Sequence, residues 1–101
     1  VRATVVTALG GLGAAAVEAV LGRLGSASAT ARADAAEVLG ALADERSVPG
    51  LAGLLADPEE DVRITALMAL GAIGGAEAAA AIASVRGAEG RTGAVARRLA
   101  P

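Results

Sequence analysis

The sequence predicts an all-α fold, an α-solenoid of antiparallel helix pairs with about three repeats, and three observations carry that prediction. A segment recurs with a period of about 31 residues. Every copy carries two apolar stripes at helical spacing, and a short break in small residues separates the two stripes. The repeats are placed at approximately 1–27, 28–56 and 57–87, with 88–101 as a degenerate terminal helix or cap, all within one domain.

The first helices align from Val1, Ala31 and Val62. Their shared anchors are Arg2, Arg32 and Arg63, then Leu9, Leu39 and Leu70, then Gly10, Gly40 and Gly71, then Leu12, Leu42 and Ile73. Val1, Val5, Leu9 and Leu12 make the apolar stripe of the first copy, and Val62, Ala66, Leu70 and Ile73 that of the third. Thr4 to Thr7 therefore belongs to a helix. Its β-branched residues cost tenths of a kcal/mol each in propensity, less than burial of the stripe returns.

After breaks at Gly13, Ala43 and Gly74-Gly75 come the second stripes. These are Val17, Val20, Leu21 and Leu24; Val48, Leu51, Leu54 and Leu55; and Ala79, Ile82 and Val85. The short connections make each second helix antiparallel to its first. The stretch Gly11-x-Gly13-x-x-Ala16 has the local pattern of a dinucleotide-binding turn, but such a turn needs a strand before it and occurs once per nucleotide-binding unit. Here the turn recurs with the helix-pair period and has helix on both sides, so no cofactor is expected.

Helix boundaries add local support. In "DPEEDVR", Asp57 is the expected N-cap, Pro58 the first helical residue, and Glu60 the partner in a capping box. The carboxylates of this stretch are expected to serve the helix dipole and not a cation, since they lack the alternating ligand spacing of a calcium loop. Ser28 or Thr30 is the expected cap of the middle first helix, and Ser47 before Pro49 starts the second. Beyond Val85 the pattern decays to Ala94, Val95 and Leu99, a fragmentary helix or frayed cap, with Arg97 and Arg98 near its C-terminus.

Composition bounds the chemistry. The 101 residues are 54% hydrophobic, with no aromatic, Cys or His residue, so catalysis would fall to Asp, Glu, Arg, Ser or Thr. A net charge of -2 with interspersed signs argues against a nucleic-acid or anionic-membrane surface, and the Arg91, Arg97, Arg98 cluster is expected to be a solvated face. No apolar run reaches the roughly 20 residues of a membrane span. No secretory signal is visible, so a cytoplasmic location is expected, and the start at Val1 suggests a piece of a longer chain. All nine basic residues are Arg, a bias that fits a GC-rich genome.

At Pro49, Asp57, Val62, Arg63, Ala66, Ala69, Leu70 and Gly71 the sequence resembles the HEAT repeat family, in particular its short bacterial, phycobilisome-lyase-like type. The resemblance runs from Val1 to about Val85 and implies a right-handed superhelix. It further implies a polar ladder between repeats, in which Asp57 and Arg63 would pair and Arg32 would be a further rung. Ser26 stands where the Asp before Arg32 is expected, and Arg2 has no upstream unit, so the ladder is incomplete in this chain. These residues are expected to stack repeats and not to catalyse. The hydroxylase members of the family use His-Glu pairs for metal, which this chain does not have.

The functional expectation is a non-enzymatic protein-protein interaction scaffold with no metal or cofactor. The alternative is an accessory module of an enzyme, lyase-like or other, whose catalytic part lies elsewhere. The expected binding strip follows the second helices: Ala15, Ala19 and Gly22, then Arg46, Gly50 and Gly53, then Glu77, Ala81 and Ser84. Small residues there would let a partner approach the backbone, and Arg46 and Glu77 would orient it. Unselected small residues at exposed positions are the competing reading. Apolar ends of the stack and 14 Gly, with Gly50 and Gly53 inside helices, predict a marginal monomer that gains stability from further repeats or end-to-end association.

Overall fold

The computed structural model describes residues 15–99, whose regular secondary structure is helical throughout. The helix expected at the start of the first repeat, with Arg2, Leu9, Gly10, Gly11 and Gly13 of the cofactor-like turn, lies outside the described residues. Six helices follow. Helix α1 covers residues 15–21 and continues into a 3-10 turn, Gly22–Gly25. Then come α2 (Ala29–Leu42), α3 (Val48–Gly53), α4 (Glu60–Ile73), α5 (Gly75–Ser84) and α6 (Gly90–Leu99).

The first helices α2, α4 and α6 pack side by side, and the second helices α3 and α5 lie behind α4 and touch each other. The core runs continuously between these layers through Leu39, Leu51, Leu67 and Leu70, all fully buried. It is built from aliphatic side chains alone. Burial of one Leu stabilises by about 2 kcal/mol, so the stack depends on many modest contacts and no single large anchor.

Local chemistry explains where the elements begin and end. Ser28 caps α2, its hydroxyl accepting the Ala31 amide at 3.2 Å, as one of the two expected candidates. Ala43 closes the same helix in a left-handed conformation with φ 51°, and Gly74 with φ 72° turns α4 into α5. The second helix of the middle repeat departs from the expectation of a regular helix. It is an α segment of six residues flanked by 3-10 turns, Glu45–Ser47 and Leu54–Ala56, because Pro49, Gly50 and Gly53 interrupt or weaken its ladder. Ser47 occupies the N-cap position of α3, yet its fully buried side chain makes no cap bond.

Three further expectations are corrected. Helix α4 starts at Glu60 and not at Pro58, because Asp57, preceding a proline, is extended (φ -61°, ψ 141°) and its carboxylate is engaged elsewhere. No capping box forms; instead Asp57 Oδ1 accepts the Glu59 amide at 2.9 Å. In α5 the core residues are Ala78 and Ile82, while Ala79 is exposed. The run Ala78 to Ala81, flanked by Ala76 and Ala83, hides the phase of this helix from a reading of hydropathy. Finally, 90–99 is a ten-residue helix packed on α4 through Thr92, Gly93 and Ala96, whereas Leu99 stays exposed. Its buried face is small and polar enough to escape an apolar pattern.

Candidate functional site

Two features remain once the core is assigned: a polar ladder between repeats, and the surface of the helix layers. In the ladder, Arg32 Nε and Nη2 donate to the two carboxylate oxygens of Asp57 at 2.7 and 3.2 Å, and Nη1 donates to the Ser26 carbonyl at 2.8 Å. One repeat beyond, Arg63 Nη1 donates to the Asp57 carbonyl at 2.7 Å and Nε to the Thr92 hydroxyl at 3.0 Å. Each arginine thus holds the carbonyl six residues before it and reaches forward into the next unit.

This corrects the expected pair. Asp57 is the ion-pair partner of Arg32, the arginine of the preceding repeat, and it meets Arg63 only through its backbone carbonyl. The reason is directional: the turn carbonyl lies within reach of its own repeat's arginine, which leaves the carboxylate to face back across the repeat boundary. The Arg32 guanidinium holds the Asp57 carboxyl below its ordinary range, burial opposes this, and the Glu59 amide adds to the lowering. At Ser26 only the carbonyl takes part, as its hydroxyl accepts the Ser28 amide at 3.2 Å. Among the described residues no three carboxylates come together as a cation site, and the acidic turn is tied into the ladder.

The strip expected along the second helices is interrupted. Ala15, Ala19, Gly22, Arg46, Gly53, Glu77 and Ser84 are exposed, but Gly50 and Ala81 are half-buried. Leu21 and Leu24 of the preceding repeat lie 3.0 Å from where a Cβ of Gly50 would stand, and Ala81 packs against the core. At Gly50 the strip is therefore a packing contact between repeats, at Ala81 it belongs to the edge of the core, and it is not one continuous open surface. Arg46 is held by Asp44 within its own turn, through contacts of 3.0 and 2.6 Å, and this pairing brings the pKa of the half-buried Asp44 carboxyl down to about 2.

Among the described residues, the most exposed large hydrophobic side chain lies on the other layer. Met68 of α4 is 60% exposed and lines a groove of about 420 Å³ with Glu37, Gly40 and Ala41 of α2 and Thr65, Ala69 and Ala72 of α4. Gly40 and Ala69 form its floor, since a Cβ on Gly40 would come within 2.9 Å of Ala69 Cα. Close approach of the two helices over small residues leaves the space above them empty. Sequence reasoning missed this site, though a signal was present: Met68 is two residues from the core residue Leu70, about 200° round the helix from it.

Stacked antiparallel helix pairs, joined by arginine rungs at the matching positions 32 and 63, define an α-solenoid built from helical repeats. The family model for HEAT repeats matches residues 1–63 and 17–99, and the chain belongs to the HEAT repeat family. HEAT repeats commonly serve as protein-interaction scaffolds. The match reaches the family and not the phycobilisome-lyase-like type. No curated protein matches the sequence. Among the described residues, no helix is long and apolar enough to cross a membrane.

Proposed function

We propose that the chain is a non-enzymatic, cytoplasmic scaffold that binds a protein partner on its first-helix layer. The observation that carries the reading is the Met68 groove, an apolar surface left open on a stack whose repeats are pinned together by the ladder. Its volume of about 420 Å³ falls within the span of roughly 300–1,000 Å³ of small-molecule clefts, enough to take side chains of a partner. The charges beside it favour a protein over a nucleic acid or an anionic membrane, because Asp34, Glu37 and Asp61 present carboxylates that repel phosphates.

The test is affinity capture with the chain as bait, followed by reconstitution from purified components. A saturable complex of defined stoichiometry, with both proteins chemically unchanged, is the expected result. Failure of every captured protein to reconstitute such a complex, or turnover of a small molecule by the chain itself, removes the reading.

A further inference from the structure

Two clefts that share no lining residue lie in line between α2 and α4, and together they make one graded groove. Near the N-termini of α2 and α4 it is lined by Thr30 and Asp34 on one side and Glu59 and Asp61 on the other. Near their C-termini it is lined by Ala41, Met68, Ala69 and Ala72, with Glu37 between the two zones. N-terminal residues face N-terminal residues, so the helices run parallel and the gradient follows their common axis. Each helix has one cation, Arg32 or Arg63, and both are turned into the ladder. The Thr65 hydroxyl donates to the Asp61 carbonyl at 2.8 Å and offers no compensating charge. The charged groups lining the groove are therefore all carboxylates.

We propose that this groove docks one amphipathic helix of a protein partner, with Arg or Lys over Asp34, Glu37 and Asp61 and a Leu- or Met-sized side chain against Met68. The proposal rests on the scaffold reading and adds to it the chemistry and the polarity of the partner. Charge complementarity carries it: neighbouring carboxylates on two packed helices repel one another, and a cationic helix relieves that repulsion while its apolar residues cover Met68. Length fits as well. Helices of 14 residues are roughly 21 Å long, which accommodates three to four turns of a partner helix. Met68 suits the role, since an unbranched thioether side chain adapts to partners of different shape.

Met68 is the single Met of the sequence, so methyl-labelled methionine gives one resonance at the centre of the groove. The probes are synthetic, helix-stapled peptides of four turns with two Leu spaced four residues apart and an Arg pair two turns away, at either end. Matched controls carry Glu for Arg, or Ala for Leu. A saturable shift of the Met68 methyl by one Arg-Leu peptide is expected, weakened at least tenfold in each control and in the double variant Asp34→Arg, Glu37→Arg. Both substituted side chains are exposed, and an unchanged melting curve verifies that the variant is folded.

Equal binding of the Glu peptide, or no shift with either Arg-Leu peptide, overturns the proposal. A methyl shift that appears on concentrating the protein alone, with a doubled mass, assigns the groove to a second copy and overturns it too. Repeating the capture experiment with Met68→Glu separates the two readings. A partner retained by that variant, together with silent peptides, ends the docking proposal and leaves the scaffold standing, whereas no partner for either form ends the scaffold reading itself.

Discussion

The two junctions between described first helices, α2 with α4 and α4 with α6, use an arginine in the same pose against different partners. At the junction of α2 with α4, Arg32 meets the carboxylate of Asp57 through two hydrogen bonds, in a pair whose side chains are 14% and 5% exposed. At the junction of α4 with α6, Arg63 meets the neutral hydroxyl of Thr92. The helix contacts differ in parallel: Gly40 lies against the backbone of Ala69, but Gly71 lies against the side chain of Leu99. The buried rung of the first junction is an ion pair over a backbone contact, and that of the second is a neutral hydrogen bond beside a side-chain contact. Repetition of an arginine therefore does not repeat the energetics, since the partner decides whether the rung is an ion pair or a single hydrogen bond.

Removing the partner on each side should break the comparison most strongly. Asp57→Ala leaves the Arg32 guanidinium largely buried without its counter-charge, a loss of about 3 kcal/mol, or roughly 15 °C in Tm for a domain of this size. Thr92→Val removes one neutral acceptor and should cost about 1 kcal/mol. Chemical denaturation of the two variants measures the ratio. Equal losses would mean that the charge of Asp57 contributes nothing beyond its hydrogen bonds.

The same pair sets a pH dependence. The carboxyl of Asp57 is lowered in the folded state, so its contribution is complete well above the unfolded carboxyl value of about 4 and is lost as pH falls through the folded value. The stability difference between wild type and Asp57→Asn should shrink on acidification below about pH 4. The difference between wild type and Thr92→Val should stay constant over the same range, because neither Thr nor Val titrates.

A methyl group added at each glycine should give opposite signs. Gly40→Ala places a Cβ 2.9 Å from Ala69 Cα and Cβ, and two helix backbones must separate to admit it. A strain of about 2–3 kcal/mol outweighs the gain in helix propensity of about 1 kcal/mol. At Gly71 the nearest atom is Leu99 Cδ2 at 3.1 Å, the tip of an exposed side chain at the end of α6, which can turn aside. Gly71→Ala should leave stability unchanged or raise it by about 0.5 kcal/mol. Thermal melts of the two variants decide this, and destabilisation by both would show the second junction to be as rigid as the first.

How far the sequence discloses this arrangement depends on what each position repeats. The helix pairs are legible because period and apolar spacing recur, and Arg32 and Arg63 recur with them, whereas the stacking role of these arginines and of Asp57 is what the resemblance to HEAT repeats implies, the Asp itself being replaced by Ser26 one repeat earlier. The pairing between them is not legible, since Arg63 is close to Asp57 in the chain and Arg32 is a repeat away, and only the turn geometry selects the distant one. Alanine and glycine carry no phase, which obscured both the Ala78 face of α5 and the burial of Gly50 and Ala81. The small buried face of α6 was hidden for a related reason. A Cβ on Gly93 would collide with the Ala88 carbonyl, so the chain returns tightly onto the helix at a position where α2 and α4 carry their ladder arginine. The Met68 groove went unread because a lone methionine outside the apolar stripe resembles any exposed side chain until its neighbours across the groove are known.

The smallest effect is expected at the remaining cross-junction contact. Arg91 Nη1 lies 3.6 Å from Glu60 Oε1, joining α6 to the start of α4 across the neutral junction, and the two side chains are 67% and 40% exposed. Water screens such a pair and both side chains keep most of their rotamer freedom, so its contribution should fall below about 0.5 kcal/mol. Arg91→Ala should therefore leave the denaturation midpoint almost unmoved, and wild type should show little salt dependence attributable to this contact. A loss above about 1 kcal/mol would mean that the second junction carries an ionic rung after all, displaced from Arg63 to Arg91. In that case Glu60→Gln should reproduce the loss, and the Arg91→Ala, Glu60→Gln double variant should be no less stable than either single one. Independent, additive small losses would instead mark two unrelated surface charges and keep the contrast between the junctions intact.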